Sequence, residues 1–506
     1  MTRTSGDRDN NSDNDNDNDN DNDNDSNNPA AAAIAEYVDR VWRTEIQPAL
    51  HNYIRIPNVS EAYDAEWRDH GHMQRAVQLI HDWCAARPIA GLTVQVCELA
   101  NRSPLIYMEV PAFNGGSETD PVLLYGHLDK QPEMTGWRDG LGPWTPVVEG
   151  DRLYGRGGAD DGYSAFASLT AIEAAQAAGL AHNRCVVLIE ASEESGSPDL
   201  PAHVAALQTR IGTPSLVICL DSGCLDYDHM WATTSLRGMV SCTLTVQILI
   251  EGVHSGEASG VVPSSFRIIR QLLDRVEDSA TGTILLPELH TDIPLDRRAQ
   301  ALATASEFPQ PIAEHFPFVA GAQPMVTNGT DQLLARTWKP TLSITGVAGI
   351  PDVSVAGNVL RPLTSLTLSF RLPPTCPHRD AATAISTVLL ADPPMGAHIG
   401  IAHLESAAGW NAPEFSPWLD SALNEASTEF FGQSCRSFGE GGSIPFMGML
   451  GEMFPSAQFV VTGALGPGSN AHGPNEYLHL PTARRLTACL SLILNAHSCR
   501  ATTDRL

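Results

Sequence analysis

The sequence predicts an α/β domain with a smaller α+β domain inserted into it, on three observations. Short apolar runs of buried-strand composition, Val122–Tyr125, Cys185–Glu190 and Leu216–Leu220, alternate with helix-like segments. Each run is followed closely by His, Asp or Glu, the placement that gathers side chains at one edge of a sheet. From about Leu236 the texture changes to a long period-two alternation over Met239–Ile250.

At 506 residues the chain is long enough for two or more domains, each with a proper core. The apolar fraction of 42% and the abundance of Gly and Pro fit a globular protein with many loops. The formal charge is −28; residues 1–29 carry nine Asp and two Arg, hence −7, and leave −21 on the body. So acidic a body argues against nucleic acid and anionic membranes as partners, because their phosphates would be repelled. The ten cysteines are scattered without a CxxC pair, which suggests buried thiols in a reducing compartment. With no signal-type apolar segment and no span of membrane length, the expected location is the cytoplasm.

Taken in order, residues 1–29 form an Asp/Asn-rich tail too polar to offset its ordering entropy, and are expected to be disordered. Ala30–Leu50 reads as a helix with an apolar stripe of Ile34, Val38, Val41 and Trp42, and Tyr53, Ile54 and Ile56 lead into Pro57, which stops the element. A second helix runs over about His72–Ala86. Leu92–Val96 and Leu105–Val110 read as strands around a polar turn. Helices are expected at Tyr163–Ala178 and Pro201–Gln208, between the apolar strands already named. In the inserted domain the reading gives a helix over Ser264–Val276, strands at Thr341–Val347 and Thr364–Arg371, and a helix over Arg379–Leu390. Asp278–Pro324 mixes helix with long loops. Helices near Ser416–Phe431 and Pro481–Asn495 flank a strand at Gln458–Thr462 and complete the first domain.

The chemistry-bearing residues stand where strands end. His127 and Asp129 follow the first apolar run, and continued alternation would put both on one side, the carboxylate holding the imidazole N–H. Asp160 follows the Gly-rich turn YGRGG, Glu193 and Glu194 follow the second run, and Asp221 ends the third. His472 joins them in GPGSNAHGPNE. Such a set suits two divalent ions, since so many carboxylates buried together without cations would be very costly. Of the adjacent Glu193 and Glu194, one can ligate while the other acts as the base that takes a proton from water.

Seven segments, GHLDKQP (126–132), LYGRGGADDG (153–162), IEASEESGS (189–197), CLDSG (219–223), VHSGEASG (253–260), GEGGSIPF (439–446) and NAHGPNE (470–476), resemble in this order the M20 family of metallopeptidases. The likeness is to the branch of carnosine-type and other dipeptidases, with acylase and deacylase relatives. It implies a zinc-peptidase-like catalytic domain of residues 30–235 and 407–506 and a ferredoxin-like lid and dimerisation domain of residues 236–406. It also implies that His127 and Asp221 hold one zinc, Glu194 and His472 the other, and that Asp160 bridges them, with manganese or cobalt as alternatives. Asp129 would orient His127, and Glu193 would be the general base and acid. His254 would steady the oxyanion, reaching across from the partner subunit of a homodimer. Arg371 would grip the substrate's terminal carboxylate, and Gly441, Gly442 and Ser443 would line the cleft.

The implied reaction is hydrolysis of a dipeptide. The rival readings are a deacylase or desuccinylase of N-acyl amino acids in the same family, and a catalytically silent binding protein on the same fold. Two departures bear on substrate. Asp160-Asp161-Gly162 lacks the Lys that many dipeptidases carry before that glycine, and Gly439-Glu440 stands where they often have Arg-Glu. His182, Asp226, Asp228 and His229 match no ligand position and are expected at the surface or in loops.

Overall fold

The computed structural model describes residues 28–308 and 312–500. Residues 1–27 of the Asp/Asn tail lie outside that range. The first helix, α1, is Pro29–Val41, and its Asn28 cap accepts from Ala30 N and Ala31 N at 3.2 and 3.4 Å. Helical structure continues to Ile54, past the expected Leu50, through a π-type turn at Trp42–Ile46. Pro48 has no N–H to offer Thr44, and the turn before it widens so that Gln47 N bonds Trp42 O.

Strands β1 (Thr93–Cys97), β2 (Leu105–Val110), β3 (Val122–His127), β4 (Cys185–Glu190) and β5 (Leu216–Cys219) belong to one six-stranded sheet. Its last member, Gln458–Val461, comes from the C-terminal region and pairs parallel with β5, so the sheet order is β1-β2-β4-β3-β5 followed by that strand. The first two pairings are antiparallel, and β4, β3, β5 and the last strand run parallel. Every residue of β3 and β4 is buried, because helices cover both faces. Val122 and Leu124 face α1, Ser164–Ala177 and Leu480–Cys499, while Leu123 and Tyr125 face Leu200–Ile211 and Pro445–Met453.

A second sheet has its own core. Strands β6 (Gly238–Gln247), β7 (Thr341–Ala348), β8 (Leu363–Leu372) and β9 (His398–Ala407) pair antiparallel in the order β7-β8-β6-β9. Helices Ser265–Leu273 and His378–Leu390 pack on the face presenting Val240, Cys242, Leu244 and Val246. This β-α-β-β-α-β order is ferredoxin-like, as the resemblance implied. Helix Leu295–Glu307, from the stretch the sequence left mixed, and helix Gly329–Thr337, which the sequence reading did not give, pack elsewhere: Ala301, Leu333 and Leu334 join Trp231 and Phe438 in a separate cluster. The chain crosses between the two sheets at two adjacent points, where a Cβ on Gly238 would lie 2.9 Å from Gly409 N. Among the described residues no helix is long and apolar enough to cross a membrane. The ten cysteines are free thiols, seven of them buried.

Candidate active site

The parallel strands β4, β3 and β5 all deliver their C-terminal ends to the same edge. His127 is the last residue of β3, Glu193 and Glu194 lie in a single 3-10 turn just past β4, and Asp221 lies two residues past β5. Asp160 sits in the turn that precedes Ser164–Ala177, and His472 in the connection between Gln458–Val461 and the strand Tyr477–His479.

These ends converge on two groups of donors. In the first, His127 Nε2 lies 3.3 Å from Asp160 Oδ1 and 3.7 Å from Asp221 Oδ1. In the second, His472 Nε2 lies 3.0 Å from Asp160 Oδ2 and 3.3 Å from Glu194 Oε2. Asp160 thus gives one oxygen to each group. Within each group all donor atoms lie within 4.8 Å of one another. Each offers one imidazole nitrogen and two carboxylates, a donor set that suits zinc and its first-row neighbours.

The electrostatics of the two groups are those of buried carboxylates crowded together. Burial, with the Asp160 charge added, pushes Glu194 up to about 8 against the pull of His472. Burial pushes Asp221 up to about 6, partly offset by His127. His472 is held up at about 9, because Glu194 and Asp160 outweigh the effect of its burial. Despite its own burial, Asp160 is held well below the usual carboxylate range by bonds to His127 and His472. The residues therefore fit divalent cations, which would replace the protons and imidazolium charges that now compensate the carboxylates.

Glu193 belongs to neither group, and burial together with the Asp221 charge raises it well above the ordinary carboxylate value. Strand β3 ends at His127, so alternation does not continue; His127 Nδ1 faces Asp129, 3.2 Å from its main-chain oxygen and 3.5 Å from Oδ1. The Asp129 carboxylate also accepts from Glu193 N at 3.1 Å and Glu194 N at 3.0 Å, fixing the turn that carries both glutamates.

Three further groups, none of them evident from local sequence pattern, hold the site. Gln131 Nε2 donates to Glu194 Oε2 at 2.7 Å. Lys130 is fully buried, with Nζ donating to Tyr53 O and Ile56 O at 2.8 Å each. Arg156 and Glu476 form a buried ion pair at 2.6 Å; Arg156 also donates to His472 O and Gly473 O, and Glu476 accepts from Gly157 N at 2.9 Å. The pair thereby ties the loop of His472 to the turn of Asp160. A signal was present, since both residues lie inside family-like motifs, but a charge pair 320 positions apart has no local spacing to betray it. Glu476→Gln would leave the Arg156 charge buried and unpaired. It is expected to destabilise the protein by about 3–5 kcal/mol, read by denaturant unfolding, and to weaken metal retention.

Arg371 and Ser443 meet, with Nη1 donating to Ser443 Oγ at 2.9 Å. Gly441 and Gly442 lie in the connection from Arg436–Gly439 to Pro445–Met453, and a Cβ on Gly441 would sit 2.9 Å from Arg336 Cγ. His254 stands apart: it is exposed, its Nδ1 accepts from Gly256 N at 3.1 Å, and none of its hydrogen bonds reaches the donor groups. His182, expected at the surface or in a loop, lies in the connection between Ser164–Ala177 and β4 but is fully buried there; its ring stacks on Phe113 and its Nδ1 bonds Asn183 O at 2.8 Å.

A fold with carboxylates and imidazoles gathered at the C-terminal edge of a parallel sheet defines a metal-dependent hydrolase. The chain belongs to peptidase family M20/M25/M40, whose sequence profile matches residues 123–496, and it is a peptide-bond hydrolase of that metallopeptidase class. It is 25% identical over 372 residues to the cysteinylglycine-S-conjugate dipeptidase of Corynebacterium striatum, covering 70% of this chain and 76% of that one. It is 26% identical over 266 residues to the Beta-Ala-His dipeptidase of Mus musculus, about half of each chain (51% and 52%). Among solved structures, the di-peptidase Dug1p from Saccharomyces cerevisiae superposes with a TM-score of 0.74 at 20% identity, over 92% of this chain and 98% of that one. Human carnosine dipeptidase 1 gives a TM-score of 0.74 at 19% identity, over 92% and 99%.

Proposed function

We propose that the protein hydrolyses dipeptides with a pair of divalent ions, zinc by its donor set, held by His127 and Asp221 on one side, Glu194 and His472 on the other, and Asp160 between. The observation that carries this reading is the sharing of Asp160 by two groups of donors, with Glu193 beside them and outside both. The dipeptidase names of its relatives support the substrate class. Bound there, the ions would supply Lewis acidity to the scissile carbonyl and to a water molecule. Glu193 takes the proton from that water and passes it to the leaving nitrogen. Asp129 keeps Glu193 in place through the two main-chain N–H groups it accepts. Arg371 and Ser443 receive the substrate's carboxylate, which fixes the scissile bond relative to Glu193.

In this reading the ferredoxin-like part is a lid that also makes a homodimer, and His254 serves the oxyanion of the partner subunit. Its exposure, and the exposed Ile344 and Val347 on edge strand β7, support that role. The test joins metal analysis to a substrate panel of free dipeptides against N-acetyl and N-succinyl amino acids. About two ions per chain and preference for free dipeptides are expected. Preference for blocked amino groups would overturn the dipeptide reading, and full activity without metal would overturn the mechanism.

Metal binding should depend on pH in one direction. Below about 8 for Glu194 and about 9 for His472 the donors hold protons that a cation must displace, so affinity falls as pH falls. Calorimetric titration at pH 7 in two buffers of different ionisation enthalpy is expected to show proton release on binding.

A further inference from the structure

Beyond the donor groups, the strongest unexplained feature is a cluster of arginines around residues 440–443. Arg237 grips this loop: its main-chain N donates to Gly442 O and its Nε to Gly441 O, both at 2.9 Å, while Ser443 Oγ donates to Arg237 O at 2.5 Å. Arg371 reaches the same Ser443 Oγ, and Arg336 lies against Gly441. Of the three guanidinium groups only Arg336 has, among the described residues, a carboxylate near it, Glu440, whose Oε1 is 3.7 Å away. Its Oε2 is already taken by Ser222 Oγ at 2.7 Å and Gly223 N at 3.0 Å, which places the loop directly beside the Asp221 turn. Among the described residues neither Arg237 nor Arg371 has an ion-pair partner, and Arg237 Nη2 and the Nε and Nη2 of Arg371 have no hydrogen-bond partner. Burial above all, with the charges of Arg371 and Arg336 added, pushes Arg237 down to about 9.

A single terminal carboxylate answers one of these two charges. The second remains half-buried and unpaired, which is costly until an anion meets it. We propose that Arg237 and Arg371 form a paired anion site at the leaving-group end of the cleft. The preferred substrates then carry two carboxylates there: they are dipeptides ending in Asp or Glu. Arg237 is in this account a specificity residue, and the account rests on the dipeptide hydrolysis proposed above.

The experiment compares Ala-Glu with Ala-Gln, and Ala-Asp with Ala-Asn, on the metal-loaded wild-type enzyme and on Arg237→Met and Arg237→Lys. Each pair differs in charge at nearly constant shape. The wild type is expected to favour the acidic member in kcat/KM by at least about ten-fold, as a charge-assisted contact allows. The ratio should collapse in Arg237→Met and recover in part in Arg237→Lys. A wild-type ratio of one or less overturns the proposal, and this result does not depend on any variant folding. A high ratio that persists in Arg237→Met overturns the assignment to Arg237. If no dipeptide is cleaved but N-acetyl amino acids are, the dipeptide reading fails by itself, and N-acetyl-Glu against N-acetyl-Gln then supplies the deciding ratio.

Discussion

Glu193→Gln is expected to lower kcat by about 10²–10⁴-fold, the contribution of a positioned general base, while metal content and fold stay unchanged. The amide has the shape of the carboxylate but cannot accept a proton from water. Metal retention follows from geometry, because Glu193 gives no oxygen to either donor group. The main-chain bonds from residues 193 and 194 to Asp129 do not involve the side chain, so the turn should hold. Steady-state kinetics and elemental analysis on the same preparation check the outcome. A variant that keeps wild-type turnover would remove Glu193 from the reaction and revive the reading of a silent binding protein.

The second large effect is expected at Asp160. Asp160→Ala removes an oxygen from both groups at once, so metal content should fall below about one ion per chain and turnover to background. Replacing Asp221 touches the first group alone, and replacing Glu194 the second, and each is expected to spare part of the metal. The contrast between one shared donor and two separate ones is the measurable signature of the arrangement. If Asp160→Ala retains as much metal as either single-group variant, Asp160 is not shared.

The parallel strands were legible because each is a short apolar run with no polar interruption, buried from end to end: Val122–His127 and Cys185–Glu190 show it directly. Gly238–Gln247 was legible for the opposite reason, a strict alternation matching one buried and one partly open face. Strand His398–Ala407 was missed. It is an edge strand with an irregular register, and its His403 and Glu405 break the alternation. Trp231–Leu236 was missed as well, since its buried run includes Thr233, Thr234 and Ser235, of which Thr233 and Thr234 are hydrogen-bonded through their hydroxyls. At the site, donors that follow strands could be found one by one. The groups that hold them, Gln131, Lys130 and Arg156 with Glu476, act through contacts across long stretches of chain. Local patterning carries no trace of those.

The donors of the two groups run from His127 to His472 along the chain. In the proposed arrangement, a growing chain that stops short of residue 458 would hold an incomplete second group and an open sheet edge beside β5, so activity would wait for the C-terminal region.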